Sequence, residues 1–340
     1  MSRILQGMHI CYVLIRNMEL PPVPFLAGSP EVRFTNFRIW QIRQFQTDLD
    51  QARGIFPNAT FGDCLYERQY SDFQPPAVGF GTIPEDVEDT LLLLRLYKPG
   101  DIAFVEVKVR RPDSTFGTQE RYGATGDITS SLFYDFRLDS AAQWETFANQ
   151  LRGSDGWNSD WFNIARHFFL YGGTKGFSVE WNEVDRIMYY MIALEAALVP
   201  EKRFVGSCLR KRALKLIAGD DSTLRLLRDL YDIRSTLAHG SQLGARQKGS
   251  LTANRIEIES VTRRVLAAAV RTIPAEKAAR KNYLTSIYAP TDDDFALETE
   301  KSFDSIAGAQ NKETLLVSLL KKESYSFWNL LKIGAAVIRR

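Results

Sequence analysis

The feature that most constrains the fold is a change in hydrophobic spacing near residue 153. Before it, short extended segments dominate, and some alternate apolar with polar side chains as half-buried strands do. After it, apolar residues recur three and four positions apart, which is the spacing of one helical face. Strands followed by helices predict an α+β fold. The predicted strands span residues 9–15, 32–42, 101–109 and 131–138.

The same pattern predicts where the helices lie and how the chain is organised. A mixed α/β region is predicted for 1–153, an all-α bundle for 158–275 and a helical extension for 276–340. Ser140 is expected to cap the second helix. The predicted helices span residues 84–97, 140–151, 161–172, 182–198, 206–219, 222–239, 255–273 and 312–322.

Composition excludes several classes of protein. The 340 residues are 45% hydrophobic and 25% charged, and 43 basic against 41 acidic residues leave a net charge of +2, so any basic surface must be local. Three distant cysteines predict neither a disulfide framework nor a metal site and fit the cytoplasm. No cofactor-binding motif is present, and no apolar run approaches the roughly 20 residues of a membrane span. We therefore expect no metal, no cofactor and no membrane contact.

One polar constellation stands out, in the segment "LYDIRSTLAHGSQ" at 230–242. On an ideal helix Ser235 and His239 lie roughly 40° apart, and the long side chain of Arg234 reaches round to them from about 140° away. His239 falls in the last helical turn, where the helix dipole favours a protonated ring. A guanidinium beside an imidazolium suits phosphate binding and proton transfer. The spacing alone fits an incidental polar edge of a helix better than it fits a catalytic site.

This segment resembles the signature of HEPN domains, an arginine followed by four to six residues and a histidine, with a polar residue directly after the arginine. Arg234, Ser235 and His239 match that pattern, and the sequence around them is most similar to that of the Apea-like branch. The upstream segments that contain Glu195 and Arg212 resemble the preceding helices of that branch. The resemblance covers about residues 158–273, the N-terminal half loosely and the C-terminal tail hardly at all.

The resemblance implies a metal-independent endoribonuclease that acts as a homodimer, with two Arg/His pairs lining one composite cleft. The ribose 2′-OH attacks the adjacent phosphate and leaves a cyclic phosphate and a free 5′-OH. His239 is the implied general acid and base, Arg234 stabilises the phosphorane, and Ser235 orients the phosphate or the imidazole. The family also implies a role in prokaryotic defence or stress, as a toxin or an abortive-infection effector.

Basic residues precede the motif and predict an RNA groove, although each one alone also fits a solvated helix face. Lys202, Arg203 and Arg225 belong to this set. The residues that we expect to contact RNA are Arg210, Lys211, Arg212, Lys215 and Arg228.

Two other functions stay open at this point. One is an inactive HEPN-type module that serves as a dimeric scaffold for RNA or protein. The other is a strand-rich domain that binds carbohydrate or peptide and carries a helical dimerisation appendage. For the N-terminal region we expect a sensor or regulatory role, and the sequence predicts no ligand for it.

Overall fold

A computed structural model gives the architecture of most of the chain. The predicted helix at 312–322 and the extension beyond 294 lie outside the described residues. The described residues are 9–294 except 17, 22–29, 44, 71–84, 101, 111–115, 122–133, 137–139, 175–182, 202–203, 239–241 and 292–293.

Strands occupy the first part of the described chain. Six of them form one antiparallel sheet in the order β3-β4-β5-β1-β6-β7, and β2 pairs in parallel with β8. The strands are β1 (His9–Arg16), β2 (Met18–Glu19), β3 (Glu31–Arg33), β4 (Phe37–Gln41), β5 (Cys64–Tyr70), β6 (Ala103–Arg110), β7 (Phe116–Arg121) and β8 (Tyr134–Asp135).

Helices form the rest, and beyond β8 every regular element among the described residues is helical. The predicted α+β class is therefore confirmed. The helices are α1 (Gln46–Ile55), α2 (Glu85–Tyr97), α3 (Ala141–Arg152), α4 (Asp160–Thr174), α5 (Glu183–Leu198), α6 (Val205–Leu216), α7 (Asp221–Ala238), α8 (Ala245–Ala253), α9 (Arg255–Thr272) and α10 (Lys277–Ile287), with a 3₁₀ turn at Asp155–Asn158.

The sheet is covered on both faces, which explains why its central strand β1 is buried almost throughout. Cys11 and Val13 join the large core shared with α2, α3 and the helical bundle. The alternate residues Tyr12 and Leu14 face α1 and pack with Phe56 in a smaller core. The strand period of two therefore sends successive side chains of β1 into different cores.

The predicted strand 32–42 is wrong as a single strand, because the chain reverses within it. Phe34 donates its backbone N–H to the carbonyl of Phe37 at 2.9 Å, and Thr35 and Asn36 form a two-residue turn between β3 and β4. Asparagine is a frequent turn residue because its side chain competes for local backbone hydrogen bonds. By contrast, the Ser140 cap is confirmed: its side chain accepts from the Gln143 N–H in a capping box.

Helix α2 ties the sheet to the bundle through a buried arginine. Arg95 is 1% exposed and donates to the Phe169 carbonyl at 3.0 Å, to the Tyr190 hydroxyl at 2.9 Å and towards Glu259 at 3.4 Å. These partners come from α4, α5 and α9. One buried core consequently runs from the sheet through α2 into the bundle, and it crosses the predicted boundary at 153 without a break.

Candidate functional site

The candidate site is built on α7, whose first turn is stabilised by hydrogen bonds to the side chain of Asp220. Asp220 accepts hydrogen bonds from the backbone N–H and the hydroxyl of Thr223 and from the hydroxyl of Ser222. These bonds stabilise the carboxylate and lower the pKa of Asp220 to about 2. An acceptor at this position satisfies N–H groups that the first helical turn leaves unpaired.

The apolar face of α7 sets the orientation of the site. Leu227, Leu230 and Ile233 are at most 2% exposed and lie in the core of the bundle. Their spacing of three residues keeps them on one side of the helix. Arg234 follows Ile233 at the edge of this face, so it lies at the boundary between core and solvent, with 28% of its side chain exposed.

Arg234 pairs with Glu195 of α5 through two contacts. Nη2 of Arg234 donates to Oε2 of Glu195 at 2.9 Å, and Nε lies 2.9 Å from Oε1. Burial raises the pKa of Glu195, and the adjacent guanidinium opposes that shift. Nη2 makes the one hydrogen bond of the pair, because Nε and Oε1, although close, are buried and form no hydrogen bond. The structure thus joins the arginine of the motif to the upstream glutamate that the resemblance singled out.

The other two predicted catalytic residues, Ser235 and His239, come one and five residues after Arg234 in the sequence. Ser235 is half-buried in the last turns of α7. The structure describes α7 as far as Ala238, so the predicted end of the helix at 239 is not tested. His239 lies outside the described residues, so its position on the Ser235 face stays a prediction.

Four of the five residues predicted to contact RNA have some access to solvent. Lys211, Lys215 and Arg228 are exposed on α6 and α7. Arg210 is half-buried, and its guanidinium carbon lies 5.8 Å from the centre of the Tyr231 ring. The ring of Tyr231 packs closely on Gly206 of α6, where an added Cβ would come within 2.6 Å of it.

The structure corrects the prediction at Arg212, because this side chain is fully buried. Its guanidinium donates to both carboxylate oxygens of Glu201 at 2.7 Å. It also donates to the carbonyls of Leu198 at 2.8 Å and Tyr288 at 3.0 Å. Arg212 therefore joins α5, α6 and the segment after α10, and it is not available to an RNA backbone.

A signal for this burial is present in the sequence. Cys208 and Leu209 precede Arg212 by four and three residues, and all three are fully buried on one face of α6. The lone charge of Arg95 in the apolar run "LLLLRLY" is the same kind of signal. A charge on an apolar face predicts a buried and paired side chain, since an unpaired buried charge is costly.

The described residues contain no group of three or more His, Cys, Asp or Glu side chains arranged to hold a metal ion. They also contain no helix that is long and apolar enough to cross a membrane. No protein-family model, curated protein or solved structure matches this chain.

Proposed function

We propose that this protein is a HEPN-type endoribonuclease that cleaves RNA by attack of the ribose 2′-OH, without a metal ion, in a defence or stress role. The observation that carries the proposal is the contact between Arg234 and Glu195. A guanidinium anchored on one edge by a carboxylate is oriented and still presents donors to a phosphate. The contact with Glu195 supports a role for Arg234 in stabilising charge on a phosphorane.

The experiment that tests the proposal is incubation of the purified protein with mixed RNA in EDTA, beside a His239→Ala variant. Cleavage by the wild-type protein alone would support the proposal. A metal-dependent activity, or equal cleavage by both proteins, would contradict it.

One observation favours the alternative of an inactive scaffold. Glu195 offsets the charge of Arg234, and the same pair links α5 to α7 as a structural tie would. Under both functions, loss of Arg234 leaves the half-buried Glu195 without its partner and lowers the unfolding midpoint. In the nuclease the variant also loses cleavage at a temperature where it is still folded, whereas in a scaffold neither the wild-type protein nor the variant cuts RNA. Thermal unfolding and cleavage measured on wild-type and Arg234→Ala preparations therefore separate the two functions.

The proposed composite site requires a homodimer, and an apolar stripe beside Glu195 offers the surface. Ile164 on α4 is 51% exposed, and Phe168 one turn later stacks on Tyr189 of α5 with ring centres 5.9 Å apart. Ile192 continues the stripe to Glu195 and is half-buried. Burial of such a stripe between two copies is a common basis of two-fold dimers.

We expect the protein to be a dimer by light scattering at micromolar concentration and Ile164→Glu to shift it towards monomer, because a buried carboxylate opposes association. Cleavage should fall in parallel with the dimer fraction. A wild-type monomer that cuts RNA would rule out the composite site. Arg53→Glu on α1, an exposed change on the other side of the sheet, is the matched control.

The exposed lysine and arginine side chains of α6 and α7 are expected to bind the RNA backbone. Lys211→Ala should weaken RNA binding several-fold and reduce the slope of log affinity against log salt by about 0.7–1, the loss of one phosphate contact. Binding titrations at three salt concentrations measure this slope. Arg53→Ala serves as control and should leave the slope unchanged. An unchanged slope for Lys211→Ala would remove this residue from the groove.

A further inference from the structure

A small pocket lies where the turn between β3 and β4 meets α3. Its lining residues are distant in sequence from the α7 motif. The pocket encloses about 120 Å³. A water molecule needs roughly 10–15 Å³ by this measure, so the pocket accommodates a group of several non-hydrogen atoms. The side chains of Phe37, Arg68, Trp144, Glu145 and Arg152 are among those that line it.

The walls of the pocket are fixed by packing. Phe34 stacks on Phe37 with ring centres 4.2 Å apart, and both rings meet the edge of Trp144, at 5.1 and 5.6 Å. The backbone N–H of Thr35 donates to Oε1 of Glu145, which fastens the turn to α3. A site that exists before the ligand arrives loses little conformational entropy on binding.

The charges of the lining favour an anion. Arg68 lies opposite Phe37 in the β4–β5 register, and its guanidinium carbon is 5.0 Å from the centre of the Tyr70 ring. Arg152 is exposed in the last turn of α3. Among the residues that line the pocket, two carry guanidinium groups and one, Glu145, carries a carboxylate that already accepts from Thr35. Planar guanidinium groups match the oxygens of carboxylates and phosphates.

We infer that this pocket binds the oxyanion group of a small molecule, a carboxylate or a phosphate monoester, between Arg68 and Arg152. The side-chain amides of Asn36 and Asn149 supply further N–H donors at the rim. The site gives the N-terminal region, for which the sequence predicts no ligand, a definite chemical class of ligand. The inference is independent of the proposed nuclease activity.

The test measures the thermal unfolding midpoint of the full-length protein against increasing inorganic phosphate or acetate, with chloride used to hold the ionic strength constant. A ligand that binds only the folded state raises the midpoint in a saturable manner. We expect saturation with at least one anion. A preference for phosphate assigns the phosphate monoester class, and a preference for acetate assigns the carboxylate class.

Two variants should change the affinity for the anion in opposite directions. Arg152→Gln should weaken the affinity about tenfold, the loss expected for a charge-assisted hydrogen bond. Glu145→Gln keeps an acceptor for Thr35 and removes the negative charge, so it should tighten binding. Arg33→Gln, a nearby exposed arginine outside the lining, should change nothing. Failure of both anions to saturate, or equal losses in Arg152→Gln and Arg33→Gln, would overturn the inference.

Discussion

Replacement of Arg234 or His239 by alanine is expected to lower RNA cleavage at least about a hundredfold. General acid–base groups and charge-stabilising donors each contribute on this order to the rate. The proposed role of Arg234 rests on its contact with Glu195, which orients the guanidinium. The single-turnover cleavage rate on a short RNA measures the effect directly.

The double variant sharpens this prediction. Residues that act as a unit give non-additive losses, so the combined Arg234→Ala and His239→Ala protein should be scarcely slower than either single variant. Arg225→Ala is the matched control at saturating RNA, because Arg225 is exposed on the same helix about two and a half turns before Arg234 and, as part of the predicted RNA groove, should affect binding and not the cleavage rate. Its rate should stay within a few-fold of the wild type. Additive losses, or an equal loss at Arg225, would indicate a diffuse electrostatic effect and no catalytic pair.

The second large effect is expected on stability, at Arg212. Arg212→Ala removes a fully buried guanidinium that contacts Glu201 and the carbonyls of Leu198 and Tyr288. Breaking a buried ion pair from one side typically costs about 3–5 kcal/mol. We expect the lower end, about 3 kcal/mol, because solvent reaches 24% of the Glu201 side chain and eases its desolvation. The urea midpoint of unfolding measures the loss.

Its control is the neighbouring residue. Lys211 is exposed on α6, so Lys211→Ala should change the free energy of unfolding by less than about 0.5 kcal/mol while it weakens RNA binding. For these two adjacent residues, the alanine variant of Arg212 is therefore expected to lose stability, and that of Lys211 is expected to lose RNA affinity. If Arg212→Ala is as stable as the wild type, the buried network around Glu201 does not contribute as the contacts suggest.

Periodicity predicts the helices of the bundle well, since a long amphipathic helix repeats its signal over several turns. As far as the structure describes them, helices α5, α7 and α9 begin and end within about one residue of the predicted positions. Helix α1 is missed because only Leu49 and Ala52 are buried on it. Two buried apolar positions in ten residues give too weak a pattern to detect.

Tertiary partners are what the sequence pattern does not supply. Strand β5 is missed because Cys64, Leu65 and Tyr66 are buried in succession, on both faces of a covered sheet, and show no alternation. The main partners of Arg212 include Tyr288, 76 residues further along. The apolar neighbours of Arg212 signal that it is buried, but local spacing cannot reveal the distant partners that hold it.

The candidate site, too, has parts that the sequence predicts and parts that depend on tertiary packing. The motif places Arg234 and Ser235 on α7 because the helix itself is predictable. The pairing of Arg234 with Glu195 depends on how α5 packs against α7, and only the resemblance pointed to that glutamate. The pocket beside α3 was hidden altogether, since it requires a turn at Thr35 and Asn36 inside a predicted strand.

The most direct test of the central claim is the chemistry of cleavage on a defined oligonucleotide. An RNA that the protein cuts at one position is compared, in EDTA, with the same RNA carrying a single 2′-deoxyribose immediately 5′ of the cleaved phosphate. The proposed mechanism predicts a 2′,3′-cyclic phosphate and a free 5′-OH from the first substrate and no cut at that position in the second. Cleavage of the deoxy substrate at the same phosphate, or products that carry a 5′-phosphate, would contradict it.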